Sequence, residues 1–187
     1  QSNLNLDDQS LQKSGYKLKI SFDKDYYLFS NLIKNNTEVI NNLKSVSLSG
    51  SGIKDVRINL LIEENYKKFQ NNKNEIETDI FKTSSLEEAE IKVDRVNNFV
   101  KDYFNDNSNI KLLVPKIDYD SNPFYGLNQL PSFISPFSDE FLEEIIFLKS
   151  FVINYLNHII NLNKRESHWI YKGLEIFIIN KYINDFY

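Results

Sequence analysis

The sequence predicts an α+β fold in which a mixed β-sheet is followed by a pair of packed helices. Segments that alternate apolar and polar residues recur through residues 16–82, as expected for half-buried strands. Segments with apolar residues three and four positions apart occur in residues 84–104 and 138–187, as expected for helices that pack on a core. Strands that precede a run of helices favour a sheet with its helices grouped on one side.

Four alternating segments are predicted strands: residues 16–22, 43–49, 56–63 and 76–82. The last two of these strands are expected to pair with each other. The Ser-Gly-Ser-Gly sequence at residues 49–52 is expected to end the second strand in a turn. Residues 25–33 fit either a short helix or a bent edge segment.

The first predicted helix covers residues 84–104. Ser84 or Ser85 is expected to cap its N-terminus. Glu87 and Glu88 lie in its first turn, where the helix dipole favours acidic side chains.

The second half of the chain is predicted to contain one more strand, an ordered loop and two helices. The strand is expected at residues 110–117, and Pro115 places it at an edge or a bulge of the sheet. Residues 118–137 contain three Pro and five aromatic residues, so this segment is expected to pack on the core as an ordered loop or an irregular edge. The helices are expected at about residues 138–162 and from about residue 167 to residue 187.

The composition excludes several classes of function. The net charge is -4 and no long basic run is present, which argues against a nucleic-acid partner. The absence of Cys excludes disulfides, Cys-ligated zinc and thiol catalysis. No apolar stretch reaches the roughly 18 residues that a membrane-spanning helix needs, so no membrane span is expected.

The sequence contains no Met, even at its first position. This absence favours a periplasmic or secreted protein whose signal peptide has been removed, and an excised fragment explains it equally well. The chain also lacks a G-x-S-x-G nucleophile motif, and its five Gly form no phosphate-binding loop.

The chain has two His residues, His158 and His168. His158 lies among apolar residues of a predicted helix, where a single His is most often a hydrogen-bonded core or boundary residue. His168 begins the last predicted helix and is expected to cap it, to stack or to point to water.

Acidic residues occur in two different contexts in the last two predicted helices. Glu140, Glu143 and Glu144 lie near the start of the first of these helices and are expected to be solvated. Glu175 lies among apolar residues, so burial would require a charged partner. Lys172, three residues earlier on the same helix face, is the expected partner.

Three short motifs follow one another in the second half of the chain: GLNQL at residues 126–130, NYLNH at 154–158 and WIYKG at 169–173. Their order and spacing resemble the catalytic domain of the aminopeptidase N-like gluzincin metallopeptidases, most closely the divergent members from Bacteroidetes-type bacteria. That family has G-x-M-E-N, H-E-x-x-H and W-x-x-E-G at the corresponding places. The resemblance covers the chain from about residue 51 to its end, and it implies a thermolysin-like catalytic domain.

The resemblance implies a metal site at Asn154, His158 and Lys172. A zinc peptidase needs three protein ligands and one open coordination position, and only His158 has a side chain that binds zinc well. Glu175 is a substitute ligand if the site binds metal. No cofactor is therefore expected, and zinc is expected only if the site is functional.

The resemblance also assigns catalytic and substrate-binding positions. Tyr155 takes the general-base position, and its ordinary pKa of about 10 makes it a poor base at neutral pH. Tyr125, Gly126 and Gln129 are assigned to substrate binding. Gln129 replaces the Glu that binds the free amine of the substrate, so this position keeps hydrogen bonding and loses the charge.

The predicted function is a degenerate, non-catalytic aminopeptidase-like domain that retains binding of a peptide or a protein partner. Two alternatives remain open: an active zinc aminopeptidase fragment whose missing ligands lie outside this chain, and a structural α+β interaction module whose motif match is accidental. Residues 1–50 are expected to be a strand-containing segment from the end of a preceding β domain. Residues 51–187 are expected to form the peptidase-like domain, truncated at its C-terminus.

Overall fold

The computed structural model describes residues 14–53, 56–62, 66–70, 74–124, 127, 134–160, 162 and 167–187. Within these ranges the chain forms eight strands and four helices, which confirms the α+β class. The strands are distributed over three small sheets, and one of these sheets is mixed.

The first sheet is antiparallel, and its strands are β1 (Ser14–Asp23), β4 (Leu43–Ile53) and β3 (Ile33–Ile40), in that order. The strand predicted at residues 16–22 is confirmed, whereas β3 is too polar to be predicted. The predicted turn at residues 49–52 is wrong, because β4 continues through it and pairs with β1 as far as Ile53. A Cβ atom at Gly50 would lie 2.7 Å from the Leu32 side chain, so Gly at this position permits close packing.

The second sheet consists of two antiparallel strands, β2 (Tyr26–Ser30) and β5 (Ile58–Ile62). The strand β2 lies in the segment for which the sequence allows a short helix, and the helical alternative is wrong. Leu28 and Phe29 of this strand are both buried. Apolar side chains are therefore required on both faces of β2, and the alternating pattern of a half-buried strand is absent.

The third sheet is mixed, and its strands are β6 (Lys67–Gln70), β7 (Asn74–Thr78) and β8 (Ile110–Val114), in that order. The central strand β7 pairs antiparallel with β6 and parallel with β8, so both of its edges are occupied. The predicted pairing of residues 56–63 with residues 76–82 is therefore wrong, and β5 pairs with β2 instead. Among the described residues β8 lies at an edge of this sheet, as predicted, but it ends at Val114, so the predicted continuation of the strand through Pro115 to residue 117 is wrong.

The helix α1 (Leu86–Tyr103) connects β7 to the parallel strand β8. Such a connection needs a crossover, since a tight turn joins antiparallel strands only. Ser85 caps the helix and forms a capping box with Glu88, which confirms one of the two predicted caps.

Three further helices follow β8: α2 (Lys116–Asp120), α3 (Asp139–Ile159) and α4 (His168–Phe186). The helices α3 and α4 confirm the two predicted helices, whereas α2 replaces the end of the strand predicted at residues 110–117 and the start of the segment predicted to be irregular. The hydroxyl of Ser138 accepts a hydrogen bond from the backbone N–H of Phe141 and caps α3. Across the described residues, no helix combines the length and the apolar character that a membrane crossing requires.

The buried apolar residues form two clusters that share no residue. The larger cluster joins the third sheet to α1, α3 and α4. The smaller cluster lies in the first and second sheets around Phe22, Leu28 and Leu48. The strand β4 runs through the predicted domain boundary between residues 50 and 51, and Ile58 still packs on the smaller cluster.

Polar contacts connect the two parts of the molecule, and we call this set of contacts the junction. Nη1 of Arg57, next to β5, lies 3.1 Å from Oδ2 of Asp118 on α2. The same guanidinium nitrogen donates to Asn154 on α3. Elsewhere in the junction, the hydroxyl of Tyr27 on β2 donates to that of Tyr66, next to β6, at 2.8 Å.

Candidate functional site

The residues that the resemblance assigns to a metal site lie on α3 and α4, which pack against each other in the larger cluster. The structure divides them among three environments. Lys172 and Glu175 belong to a buried group of charges. Asn154 belongs to a separate hydrogen-bonded group, and His158 lies in the last turn of α3.

Glu175 lies between two ammonium groups. Nζ of Lys172 donates to Oε2 of Glu175 at 2.7 Å, and Nζ of Lys149 on α3 lies 3.7 Å from Oε1. The side chain of Lys149 is 4% exposed, whereas that of Lys172 is 33% exposed. We call Lys149, Lys172 and Glu175 the ion triad. The predicted contact between Lys172 and Glu175 is present, and Lys149 is a partner that the sequence did not predict.

Two aromatic rings also lie near the Lys149 ammonium group. Its Nζ lies 4.0 Å from the centre of the Phe124 ring and 5.8 Å from that of Tyr119. Such contacts are favourable cation–π interactions. Burial lowers the pKa of Lys149. The Glu175 carboxylate raises this pKa and the Lys172 charge lowers it, but burial has the largest effect.

Asn154 is buried and its amide is engaged within the protein. Its Nδ2 donates to Oδ2 of Asp118 at 2.7 Å and to the carbonyl oxygen of Ser150 at 2.8 Å. Its Oδ1 accepts a hydrogen bond from Arg57. Asn154 therefore bridges Asp118 and Arg57 in the junction and leaves no amide hydrogen for another partner.

Tyr155, at the position of the general base, is a core residue. Its ring is fully buried, and its hydroxyl donates to Oδ2 of Asp106 at 2.7 Å. Burial raises the pKa of Tyr155, and the hydrogen bond to the Asp106 carboxylate raises it further. Tyr155 is therefore an even weaker acid than an ordinary tyrosine, and its hydroxyl has a structural partner.

His158 is exposed at the end of α3, so its predicted placement in the core or at its boundary is wrong. The buried face of α3 ends at Leu156, and the last turn of the helix extends beyond the core. Tyr125, Gly126 and Gln129, the predicted substrate-binding residues, lie outside the described residues.

These side chains do not fit a zinc ion. Zinc sites in proteins use thiolates, imidazoles and carboxylates, whereas here Asn154 is bound within the junction and two ammonium groups flank Glu175. A lysine ammonium group within a few ångströms of a divalent metal ion repels it. Where the structure describes the chain, no three His, Cys, Asp or Glu side chains form a group suited to a metal ion.

No protein-family model matches this chain, and no curated protein does. The resemblance to the aminopeptidases therefore depends on the three sequence motifs.

The prediction that Glu143 is solvated is wrong. Its carboxylate accepts hydrogen bonds from the backbone N–H groups of Lys82 and Thr83, at 2.8 and 2.7 Å, and from the hydroxyl of Ser84 at 2.6 Å. Burial alone would raise the pKa of Glu143, but the hydrogen bonds outweigh burial and lower it. Glu143 therefore fixes the segment that leads into α1.

The same prediction for Glu144 is also wrong, because this carboxylate is buried. Nη2 of Arg95 lies 3.0 Å from its Oε2, and the hydroxyl of Tyr187 donates to the same atom at 2.9 Å. The hydroxyl of Tyr182 donates to Oε1. The helix α3 is buried on most of its circumference, so acidic residues near its start are enclosed by α1 and α4.

The sequence contains a signal for Lys149, although this residue lies in none of the three motifs. Lys149 interrupts the apolar segment IIFLKSFV, and a Lys enclosed by apolar residues on a buried helix requires a carboxylate partner. No comparable signal marks Arg57 and Asp118. They are 61 residues apart, and only the fold brings them together.

Replacing Tyr155 with Phe is expected to lower the free energy of unfolding by about 1 kcal/mol at neutral pH, because the partly exposed Asp106 carboxylate loses one hydrogen-bond donor. Hydrogen bonds from Tyr155 and Ser108 lower the pKa of Asp106 from 3.8 to about 2. A depressed folded-state pKa stabilises the protein above the unfolded-state pKa, and this contribution is lost as the pH falls from about 4 to about 2. Urea denaturation of both proteins across this pH range measures the effect.

The difference between the variant and the parent protein should therefore narrow as the solution is acidified. A difference that is constant down to about pH 2 would contradict the contact with Asp106. Tyr26→Phe is the matched control, because the ring of Tyr26 is exposed, and its effect should be within about 0.5 kcal/mol of zero at every pH.

Proposed function

We propose that this chain is a non-catalytic domain with the scaffold of a zinc aminopeptidase, in which the ion triad replaces the metal, and that it binds a peptide or a protein partner. The observation that carries the proposal is the ion triad itself. Lys172 occupies the place of the metal-binding Glu in the W-x-x-E-G motif, and its ammonium group is bonded to Glu175. Tyr155, at the place of the general base, is committed to Asp106.

The charges of the ion triad oppose a metal ion. Two lysines and one glutamate give a net charge of about +1 when all three are ionised. A divalent ion about 4 Å from one ammonium group would experience a repulsion of about 2 to 8 kcal/mol, depending on the local dielectric constant. A single exposed imidazole, His158, does not offset this repulsion.

Exposed apolar residues on α4 support the binding of a partner. Trp169 is 74% exposed, and Ile176 and Phe177 are exposed as well. These residues lie seven and eight positions after Trp169, so they share one side of the helix. Gly173 lies between them, and a Cβ atom added to it would meet no atom of the described residues within 4 Å. Large exposed apolar residues that lie together are typical of interaction surfaces.

Isothermal titration calorimetry with zinc tests the proposal. The parent protein is expected to bind zinc no more tightly than about micromolar. Positions 154 and 158 lie one turn apart on α3, and the double variant Asn154→His, Lys172→Glu removes the present contacts of positions 154 and 172 with the junction and with Glu175. It supplies the two ligands that the family motifs contain, and it is expected to bind zinc at least about a hundredfold more tightly, provided that circular dichroism shows a folded protein. Adding His158→Ala to this double variant should remove the tight binding.

Tight zinc binding by the parent protein that depends on His158 would show that the metal site is intact and would overturn the proposal. Failure of the folded double variant to bind zinc would show that Asn154, His158 and Lys172 do not converge. That result would favour a structural module with an accidental motif match. Release of an aminoacyl fluorophore by the chain, blocked by a chelator, would instead favour an active peptidase.

A further inference from the structure

The side chain of Lys149 is 4% exposed, and its ammonium group makes only a long contact with an acceptor in the part of the chain that the structure describes. Its closest acceptor there is Oε1 of Glu175 at 3.7 Å, beyond the roughly 3.2 Å limit of a good hydrogen bond. Its other neighbours are the ring faces of Phe124 and Tyr119. An ammonium group has three donors, and buried polar groups in folded proteins almost always have partners.

Lys172 connects this buried group to the surface. Its ammonium nitrogen contacts the same carboxylate as Lys149, but its side chain is one-third exposed. Trp169 lies one turn earlier on α4 and is exposed. Lys172 is therefore the more accessible of the two ammonium groups.

The charge balance favours an anion with a single charge. The two ammonium groups share one carboxylate, so among the described residues of this group one positive charge is in excess. A monoanion would neutralise this charge and supply the missing acceptor oxygens. A phosphate dianion would exceed the available positive charge and would be repelled by Glu175.

We propose that Lys149 and Lys172 bind a carboxylate of a ligand, with one oxygen accepting from each ammonium group. This inference rests on the proposed function, because it names the chemical group through which the non-catalytic domain would hold a peptide or a small acid. Burial lowers the pKa of Lys149. The negative charge of a bound carboxylate would raise this pKa again, so binding is expected to be accompanied by proton uptake.

Calorimetry with four probes tests this binding site. The probes are an acetylated tri-alanine peptide with a free C-terminal carboxylate, the same peptide with a C-terminal amide, an amidated peptide with a central Glu, and acetate alone. We expect the amidated tri-alanine to bind at least about tenfold more weakly than the best carboxylate probe. The comparison of the three carboxylates identifies the source as a C-terminus, a side chain or a free acid. Trp169, the single Trp of the chain, offers an independent fluorescence signal.

Two variants locate the binding. Lys149→Met keeps the Lys172–Glu175 pair and most of the side-chain volume, so the protein should remain folded, and the preference for carboxylate should disappear. Lys172→Gln removes the more exposed ammonium group and should reduce the preference several-fold. Lys181→Gln is the matched control, because Lys181 forms an exposed pair with Asp185 on the same helix, and it should leave the preference unchanged.

Equal binding of the carboxylate and amide peptides would overturn the inference, and so would a preference that survives Lys149→Met in a folded protein. Inorganic phosphate that binds more tightly than every carboxylate probe would overturn the choice of ligand. None of these results affects the zinc titrations above, so failure of the carboxylate site and failure of the proposed function remain distinguishable.

Discussion

Replacing Glu175 with Gln is expected to lower the free energy of unfolding by about 3 to 5 kcal/mol at neutral pH. The substitution leaves the amines of Lys149 and Lys172 without their shared carboxylate, and the side chain of Lys149 is almost completely buried. Removing one partner of a buried ion pair leaves an uncompensated charge, which is far more costly than the loss of an exposed pair. Urea denaturation followed by circular dichroism measures the difference.

The loss of unfolding free energy in Glu175→Gln should be smaller in alkaline solution than at neutral pH. Burial already lowers the pKa of Lys149, and removing the Glu175 charge lowers it further, so the amine becomes neutral at a lower pH in the variant than in the parent protein. A group whose folded-state pKa is lowered below its unfolded value destabilises the fold when the pH lies below that value, and the penalty decreases as the pH rises. The difference in free energy at about pH 10 should therefore be smaller than at about pH 7.

A second substitution separates charge from packing. Adding Lys149→Met to Glu175→Gln removes the uncompensated buried charge, so the double variant should regain most of the lost stability. Asp185→Asn is the control, since it breaks the exposed Lys181–Asp185 pair on the same helix, and its effect should be below about 1 kcal/mol. A double variant as unstable as Glu175→Gln alone would show that charge is not the cause.

Replacing Glu144 with Leu is expected to lower the free energy of unfolding by about 3 to 4 kcal/mol. Glu144 is the common acceptor for Arg95, Tyr182 and Tyr187. The hydroxyl of Tyr182 is completely buried with its ring, so the variant leaves that donor unpaired in the core. Arg95 is partly exposed, so its guanidinium group can be hydrated in the variant. The loss of stability should therefore be smaller than if all three partners of Glu144 were buried.

Titration of the tyrosines by ultraviolet absorbance gives a second measurement of the same contact. Burial and the Glu144 carboxylate together raise the pKa of Tyr187 to about 12. Removing the carboxylate should lower this pKa, although burial should keep it above the ordinary value. Glu90→Gln, which changes an exposed residue of α1, should affect neither the stability nor the titration. An unchanged pKa of Tyr187 in Glu144→Leu would contradict the contact.

Helices are easier to predict from this sequence than sheets. Ser85 and Ser138 mark two helix starts correctly, because a capping hydroxyl acts on backbone groups only a few residues away. The strand β5 pairs with β2, which lies far from it in the sequence, and no local pattern of residues indicates this pairing. The strand β3 is missed because its exposed, polar residues lack the alternation that burial of one face produces.

The candidate site shows the same division between local and distant contacts. Lys172 and Glu175 are predicted together because three residues on a helix place them on one face. Lys149, which completes the ion triad, lies on another helix. Its distance from Glu175 in sequence therefore does not indicate that the two side chains are in contact. His158 is misplaced because an apolar neighbourhood in sequence does not reveal where the helix extends beyond the core.

The two apolar clusters and the junction between them have a consequence for the way the chain unfolds. Clusters that share no residue are able to open as separate cooperative units, with free energies set by their own contacts. The pair of Arg57 and Asp118 is largely buried, so salt screens it only weakly, and the first two sheets should stay coupled to the helices as the ionic strength rises. A carboxylate bound at the ion triad would stabilise the unit that contains the helices directly. It would stabilise the N-terminal strands only through the contacts of the junction.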